Sequence, residues 1–148
     1  MSPTQSHLTI TLPIKSPADA KGIAEELPPL MADFAKAQDA IGTIHYSRFL
    51  ALNYETLLFL ADIDGELDKL SGELAKSAGP VFDAIFKHVT NPPLTPVASN
   101  SDAFIKWVKQ HSTNPLITYT PSGNASVQDI KSAARAAGFT VAASSILC

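Results

Sequence analysis

Hydrophobic and polar residues alternate strictly in the first periodic segment of the chain, residues 7–12. Leu8, Ile10 and Leu12 fall on one side of an extended backbone, with polar residues between them, which predicts a half-buried β-strand. Pro13 ends this strand, because proline has no backbone N–H to donate to a neighbouring strand.

Helical periodicity follows from Ser16 and Pro17, a pair that suits the cap and the first position of a helix. Apolar residues then recur at helical spacing until Gly42, which ends the region. Pro28 and Pro29 interrupt the run, so we predict a kinked helix or two short helices.

Two strand-like runs, residues 43–52 and 54–61, are separated by Asn53 alone. Asparagine tolerates the left-handed backbone of tight turns, and so short a connection predicts an antiparallel hairpin. Residues 62–65 then form a turn. A helical stretch over 67–89 follows, broken at Gly79-Pro80, and then an extended connector at 91–96. The remaining predicted elements are a short helix near 101–109, a strand at 116–120, a helix from Ser126 to Gly138, and an apolar tail at 139–148 that suits a strand on an edge or on a partner.

The order of these elements predicts an α+β fold of the ferredoxin-like type, with βαββαβ connectivity over one domain, residues 1–148. Right-handed crossovers place the helices on one face of a four-stranded antiparallel sheet, with the short helix and the C-terminal helix as additions. The other face stays open, so it needs a polar surface, a ligand or a second copy of the chain.

The predicted open face is mixed in character. Thr9 and Thr11 lie on it because the first strand buries its leucines and isoleucine. On the second strand we assign the core side to Ile44, Tyr46 and Leu50, which leaves the alternate positions for the open face. The predicted ligand-binding residues are therefore Thr9, Thr11, His45, Ser47 and Phe49, at a dimer interface that encloses a small cavity.

Composition excludes several classes of function. The chain has 11 basic and 14 acidic residues and a net charge of −3, without the basic cluster that nucleic acid requires. Its apolar runs are far shorter than the ~18 residues of a membrane span, and residues 1–6 do not resemble a signal peptide. We therefore expect a cytoplasmic protein. The one cysteine, Cys148, is either an inert tail thiol or a site of intermolecular disulfide formation.

Three residues are candidates for catalysis: His45, Arg48 and Asp64. Histidine transfers protons near neutral pH, and Arg48 follows it by three positions. That spacing puts them on opposite faces unless a bulge intervenes, so the face of Arg48 stays open. The alternative gives His45 an interface hydrogen bond and Arg48 a salt bridge.

Two segments, residues 42–49 and 57–65, resemble a group of the dimeric α+β barrel superfamily whose function is not firmly assigned. Residues 117–121 and 127–130 are similar to the same group. The resemblance implies a homodimer in which two sheets pack face to face. It selects no chemistry, because the superfamily includes dye-decolorizing haem peroxidases, small monooxygenases, lactone isomerases and non-catalytic stress proteins.

Residues 61–65 partly match the GxxDG motif of the dye-decolorizing peroxidases, in which the aspartate works beside haem. Ala61 replaces the first glycine, and Asp62 or Asp64 also suits the cap of the following helix. The candidate haem ligands are His7, His45, His88 and His111. We expect the last two simply to occupy helix ends. No spacing of histidines predicts a metal site.

Three hypotheses follow for the function. The leading one is a homodimer that binds a small apolar or aromatic molecule at the open face. The second is an oxidoreductase, either haem-dependent or free of cofactor, and whether the chain is an enzyme stays open. The third is a non-catalytic interaction protein in which the open face serves assembly alone.

Overall fold

Over residues 4–121 and 123–139, which the computed structural model describes, the chain folds into strands and helices of the predicted α+β class. Its elements are β1 (Gln5–Pro13), α1 (Pro17–Glu26), α2 (Met31–Ile41), β2 (Ile44–Leu52), β3 (Thr56–Asp64), α3 (Leu67–Phe86), α4 (Ser101–His111) and α5 (Val127–Ala136), with short 3₁₀ helices at Pro28–Leu30 and Val97–Ser99.

The sheet has the order β1-β3-β2, and both pairings are antiparallel. The prediction of a fourth strand at 116–120 is wrong for the described residues. After α4 the chain meets β1 at Ser112, which bridges Ile10, and at Thr113, whose N–H donates to the carbonyl of Thr9 at 2.9 Å. Pro115 follows and has no N–H to continue the ladder, and Leu116 beyond it is fully exposed.

The helices cover one face of the sheet, as predicted. Three phenylalanines connect the layers, because Phe34 of α2, Phe59 of β3 and Phe82 of α3 have ring centroids 5.8–6.1 Å apart. Phe104 of α4 extends this group, at 5.1 Å from Phe82. Rings at these separations gain both buried area and favourable edge contacts, so they hold three helices against the central strand.

Prolines shape the helices in two different ways. Pro28 and Pro29 divide the first helical region into α1 and α2, which confirms two short helices. At Gly79-Pro80 the prediction of a break is only partly right, because α3 continues through a kink at Ala78, where φ is −124°. Gly79 packs closely there, since a Cβ atom would lie 3.2 Å from the Cβ of Ala98, a tight contact.

The β2–β3 hairpin is confirmed, although its turn is longer than predicted. Asn53 and Tyr54 both have positive φ, 50° and 60°, and the N–H of Glu55 donates to the carbonyl of Leu52 at 3.0 Å. Two successive left-handed residues match the twist of the flanking strands and fix their register.

The capping box that opens α5 is also confirmed. The Ser126 hydroxyl accepts from the Asp129 N–H, and the Asp129 carboxylate accepts from the Ser126 N–H. The predicted tail strand falls mostly on residues 140–148, outside the described residues. Among the helices that are described, none is long and apolar enough to cross a membrane.

Candidate functional site on the open sheet face

A β-bulge in β2 decides which side chains reach the open face. The register with β3 shifts between Ile44 and Tyr46, so His45 is an extra residue and the alternation changes side there. Ile44 packs against the core before the bulge, and Phe49 does so after it. The predicted faces of β2 are therefore reversed beyond His45.

Two of the predicted ligand-binding residues lie on the helix side of the sheet, which corrects their placement. The ring of Phe49 lies 5.7 Å from Phe34 and 4.8 Å from Phe59, measured between centroids. The Ser47 hydroxyl donates to the side-chain carbonyl of Gln38 in α2. A regular strand would have turned both outward, and the extra residue turns them inward.

The His45 side chain is buried in a contact at the end of the sheet and is not exposed to a ligand. Its Nε2 lies 2.8 Å from Oδ1 of Asp64, and the two side chains are only 9% and 5% exposed. The second carboxylate oxygen of Asp64 accepts from the backbone N–H of Val127 at 2.8 Å. The pair therefore ties the bulge and the end of β3 to the first turn of α5.

The structure thus brings together two of the three catalytic candidates and separates the third. His45 and Asp64 are bonded, whereas Arg48 is exposed on the open face and has no ion-pair partner within the described ranges. Their catalytic roles stay predictions. A pocket of about 300 Å³ borders Asp64 at the sheet end, between Gly42, Glu66 and Ser126.

The open face itself is built from three strands in register. Thr9 and Thr11 lie on it as predicted, opposite Leu60 and Leu58 of the central strand. Other positions on the face come from β2, from β3 and from His7 of β1. Counted from the hairpin end, they are Leu52 with Thr56, then Leu50, then Arg48, and finally Tyr46 with Asp62 and His7. The face therefore has an apolar centre, with threonine hydroxyls along its β1 side and polar side chains at the end away from the hairpin.

The polar end contains a histidine–aspartate contact that the sequence analysis missed. Nδ1 of His7 lies 2.6 Å from Oδ1 of Asp62, directly across the β1–β3 pairing. The His7 and Asp62 side chains are 26% and 54% exposed. Period-two alternation does place both residues on the open face, but it does not show which residues of two distant strands lie opposite each other.

The aspartates before α3 are not its cap, contrary to the expected alternative. The cap position belongs to Glu66, which makes no capping hydrogen bond with its side chain. Asp62 and Asp64 still lie within β3, where each bonds a histidine. Gly65, with a φ of 96°, makes the turn from the strand to the helix.

His88 lies just after α3, as expected, and binds two carboxylates of α1. Its Nδ1 is 2.9 Å from Asp19 and its Nε2 is 3.2 Å from Glu26. Hydrogen bonds from Ser16 and then from His88 hold the pKa of Asp19 below its ordinary value. Gly22 makes room for the imidazole, because a Cβ atom there would lie 2.6 Å from it.

Two of the four candidate haem ligands are occupied in this fold, because His45 and His88 have Nε2 bonded to carboxylates. His111 bonds the Trp107 carbonyl through Nδ1, and its ring stacks on that indole at 3.9 Å. His7 lies on the open face, where its Nδ1 contacts Asp62. In the part of the chain that is described, no three histidine, cysteine or acidic side chains form a metal-binding group.

Comparison with known proteins adds one structural likeness. No protein-family model and no curated protein matches the sequence. The fold is similar to that of tetracenomycin F2 cyclase from Streptomyces glaucescens, a type-II polyketide cyclase, with a TM-score of 0.48 and 13% sequence identity. The likeness covers 78% of this chain and 97% of the cyclase.

Proposed function

We propose that this chain is a homodimeric binding protein that holds a small apolar or aromatic molecule between the open sheet faces of two copies. The observation that carries the proposal is an apolar surface that no helix of the described residues covers. It consists of Leu50, Leu58 and Thr11, which lie in one row across the three strands, and Leu60 in the next row. Tyr46, 78% exposed, extends the same surface.

Physical chemistry supports a partner for this face. Burying one leucine side chain contributes about 1.5–3 kcal/mol, and monomers rarely expose contiguous apolar patches larger than a few hundred Å². An apolar centre with a polar rim is also the usual anatomy of an interface. Leu50 and Leu58 supply such a centre, and Thr9, Arg48 and Asp62 supply the rim.

The size of the face indicates what else the interface needs. Three strands of nine residues form a patch of about 14 Å by 30 Å, or roughly 400 Å² in projection. A standard interface takes about 800 Å² from each partner. Leu116, Ile117 and Tyr119 lie beyond the contact with β1 and are 87–102% exposed. We include them in the proposed interface.

Light scattering tests the dimer. Wild type should have twice the mass of the chain, whereas Leu50→Asp should shift the protein toward monomer by placing a charge at the centre of the interface. Leu94→Asp is the matched control, since Leu94 is also an exposed leucine but lies in the connector before α4. Far-UV circular dichroism verifies that both variants fold. A wild type that is strictly monomeric overturns the proposal.

Ligand binding is tested separately with N-phenyl-1-naphthylamine, whose fluorescence rises in apolar surroundings. We expect saturable binding to wild type and to Leu94→Asp, and its loss in Leu50→Asp. Saturable binding that persists in the Leu50→Asp monomer would place the ligand elsewhere. A dimer that binds no apolar probe would instead favour the hypothesis of assembly alone.

A further inference from the structure

The contact between His7 and Asp62 determines which nitrogen of the imidazole carries the proton. An ionised carboxylate only accepts hydrogen bonds, so Nδ1 must donate across the 2.6 Å contact. In the neutral ring Nε2 is then a bare acceptor. Within the described ranges Nε2 makes no hydrogen bond, which leaves its lone pair available to another molecule.

The surroundings of His7 show what kind of molecule would use that acceptor. Leu60 lies one row away on the open face, and Leu58 lies one row further along. These side chains suit the flat face of an aromatic ring. A ring on the leucines with a polar group at its edge would therefore point that group toward the polar end of the face.

We propose that the ligand of the open face is a phenol-type molecule whose hydroxyl group donates a hydrogen bond to Nε2 of His7. Asp62 is a positioning residue, because it sets the tautomer and makes no contact with the ligand. The inference rests on the proposed function, since it names the chemistry of a ligand at that same site. In the competing interpretation the pair only links β1 to β3.

Two probes separate these interpretations: 2-naphthol, which can donate a hydrogen bond, and 2-methoxynaphthalene, which can only accept one. Their dissociation constants are measured from naphthalene fluorescence at neutral pH. Wild type should prefer the naphthol by about fivefold to tenfold, the ratio that one net hydrogen bond supplies. His7→Phe should bind both probes equally, and His111→Gln, a histidine away from the face, should keep the wild-type preference.

Asp62→Asn gives a second readout, because it removes the acceptor-only group that sets the tautomer while the imidazole stays in place. An asparagine side chain can accept from Nδ1–H through its oxygen or donate to a bare Nδ1 through its amide, so the ring proton is no longer held on Nδ1. The preference for naphthol should therefore shrink toward one. If the pair had only a structural role, Asp62→Asn would lower the stability of the fold without changing the ratio of the two affinities.

The possible failures are distinguishable. If wild type binds both probes with equal affinity, or if Asp62→Asn and His7→Phe both keep the naphthol preference, the hydroxyl assignment is wrong while the open-face site survives. If wild type binds neither probe and is also monomeric, the site itself is absent and the proposed function fails with it.

Discussion

The two histidine–aspartate contacts of the sheet have the same chemistry and opposite surroundings. His45 and Asp64 lie 2.8 Å apart and are sealed among the bulge, β3 and α5, where the second oxygen of Asp64 is also bonded. His7 and Asp62 lie 2.6 Å apart on the open face, more than a quarter and more than half exposed. The two aspartates are only two residues apart in the chain.

The difference teaches that free hydrogen-bonding positions, rather than residue types, distinguish a structural pair from a candidate site. Both oxygens of Asp64 are used within the fold, so the pair can do little except hold α5 in place. His7 keeps one nitrogen without a partner among the described residues and faces the apolar surface. The exposed pair is therefore the one available to a ligand.

The largest expected effect comes from breaking the sealed pair. Asp64→Ala leaves His45 and the Val127 N–H without their acceptor in a buried place, so we expect the free energy of unfolding to fall by about 3 kcal/mol. Asp62→Ala removes an exposed contact and should cost less than about 1 kcal/mol. Urea unfolding at one fixed protein concentration measures both.

Equal losses in these two variants would contradict the comparison. The same experiment on His7→Ala and His45→Ala tests the comparison a second time. His45→Ala should lower the free energy of unfolding more than His7→Ala does. A small loss for both members of the sealed pair would mean that α5 docks without it.

A smaller effect is expected at His88. Its side chain is 15% exposed, a value between those of His45 and His7. Gly22→Ala should destabilise the fold by about 1 kcal/mol, although alanine is the better helix former, because its Cβ displaces the imidazole from Asp19 and Glu26.

Gly72→Ala is the matched control for that substitution in urea unfolding. Its Cβ would make an ordinary contact of 3.7 Å with Ile105, so the helix propensity of alanine should raise the free energy of unfolding by about 0.5–1 kcal/mol. Stabilisation by both substitutions would show that the His88 contacts contribute little.

The smallest expected effect is a dependence on acid at Asp19. Because its pKa is lowered in the folded state, ionised Asp19 contributes stability above about pH 4, where the unfolded chain is ionised too. That contribution disappears as the pH falls through the folded-state value. The difference in unfolding free energy between wild type and Asp19→Asn should therefore shrink from pH 5 to pH 2.

Ser16→Ala refines the acid experiment, because the Ser16 hydroxyl is the largest cause of the lowered pKa. In its background the Asp19→Asn difference should be smaller and should vary less with pH. A difference that stays constant down to pH 2 would be incompatible with this account.

Much of the fold follows from local signals in the sequence. Alternation predicts β1, a short connection predicts the hairpin, and Ser126 with Asp129 predicts the start of α5. These features depend on neighbouring residues, whose conformational preferences act within a few positions. The missing fourth strand at 116–120 depends on tertiary pairing with β1, which alternation alone does not determine.

The site was less predictable, because it depends on register between distant strands. Thr9 and Thr11 were placed correctly on the open face, since β1 has no irregularity. Ser47 and Phe49 were placed on the wrong side, because the bulge at His45 leaves no mark in the pattern of polar and apolar residues. The contact of His7 with Asp62 appears only once β1 and β3 are aligned.

The bulge also limits how the length of β2 can vary. It joins two stretches of opposite phase, and so allows Ile44 and Phe49 both to reach the core. Deleting His45 would leave four positions between the two side chains, an even number, so one continuous pleat would still keep both on the core side. A single insertion or deletion between Tyr46 and Phe49 that leaves the bulge in place would instead turn Phe49 away from the core. The strand can therefore lose a residue only where the bulge absorbs the change, and the cost there is the contact of His45 with Asp64.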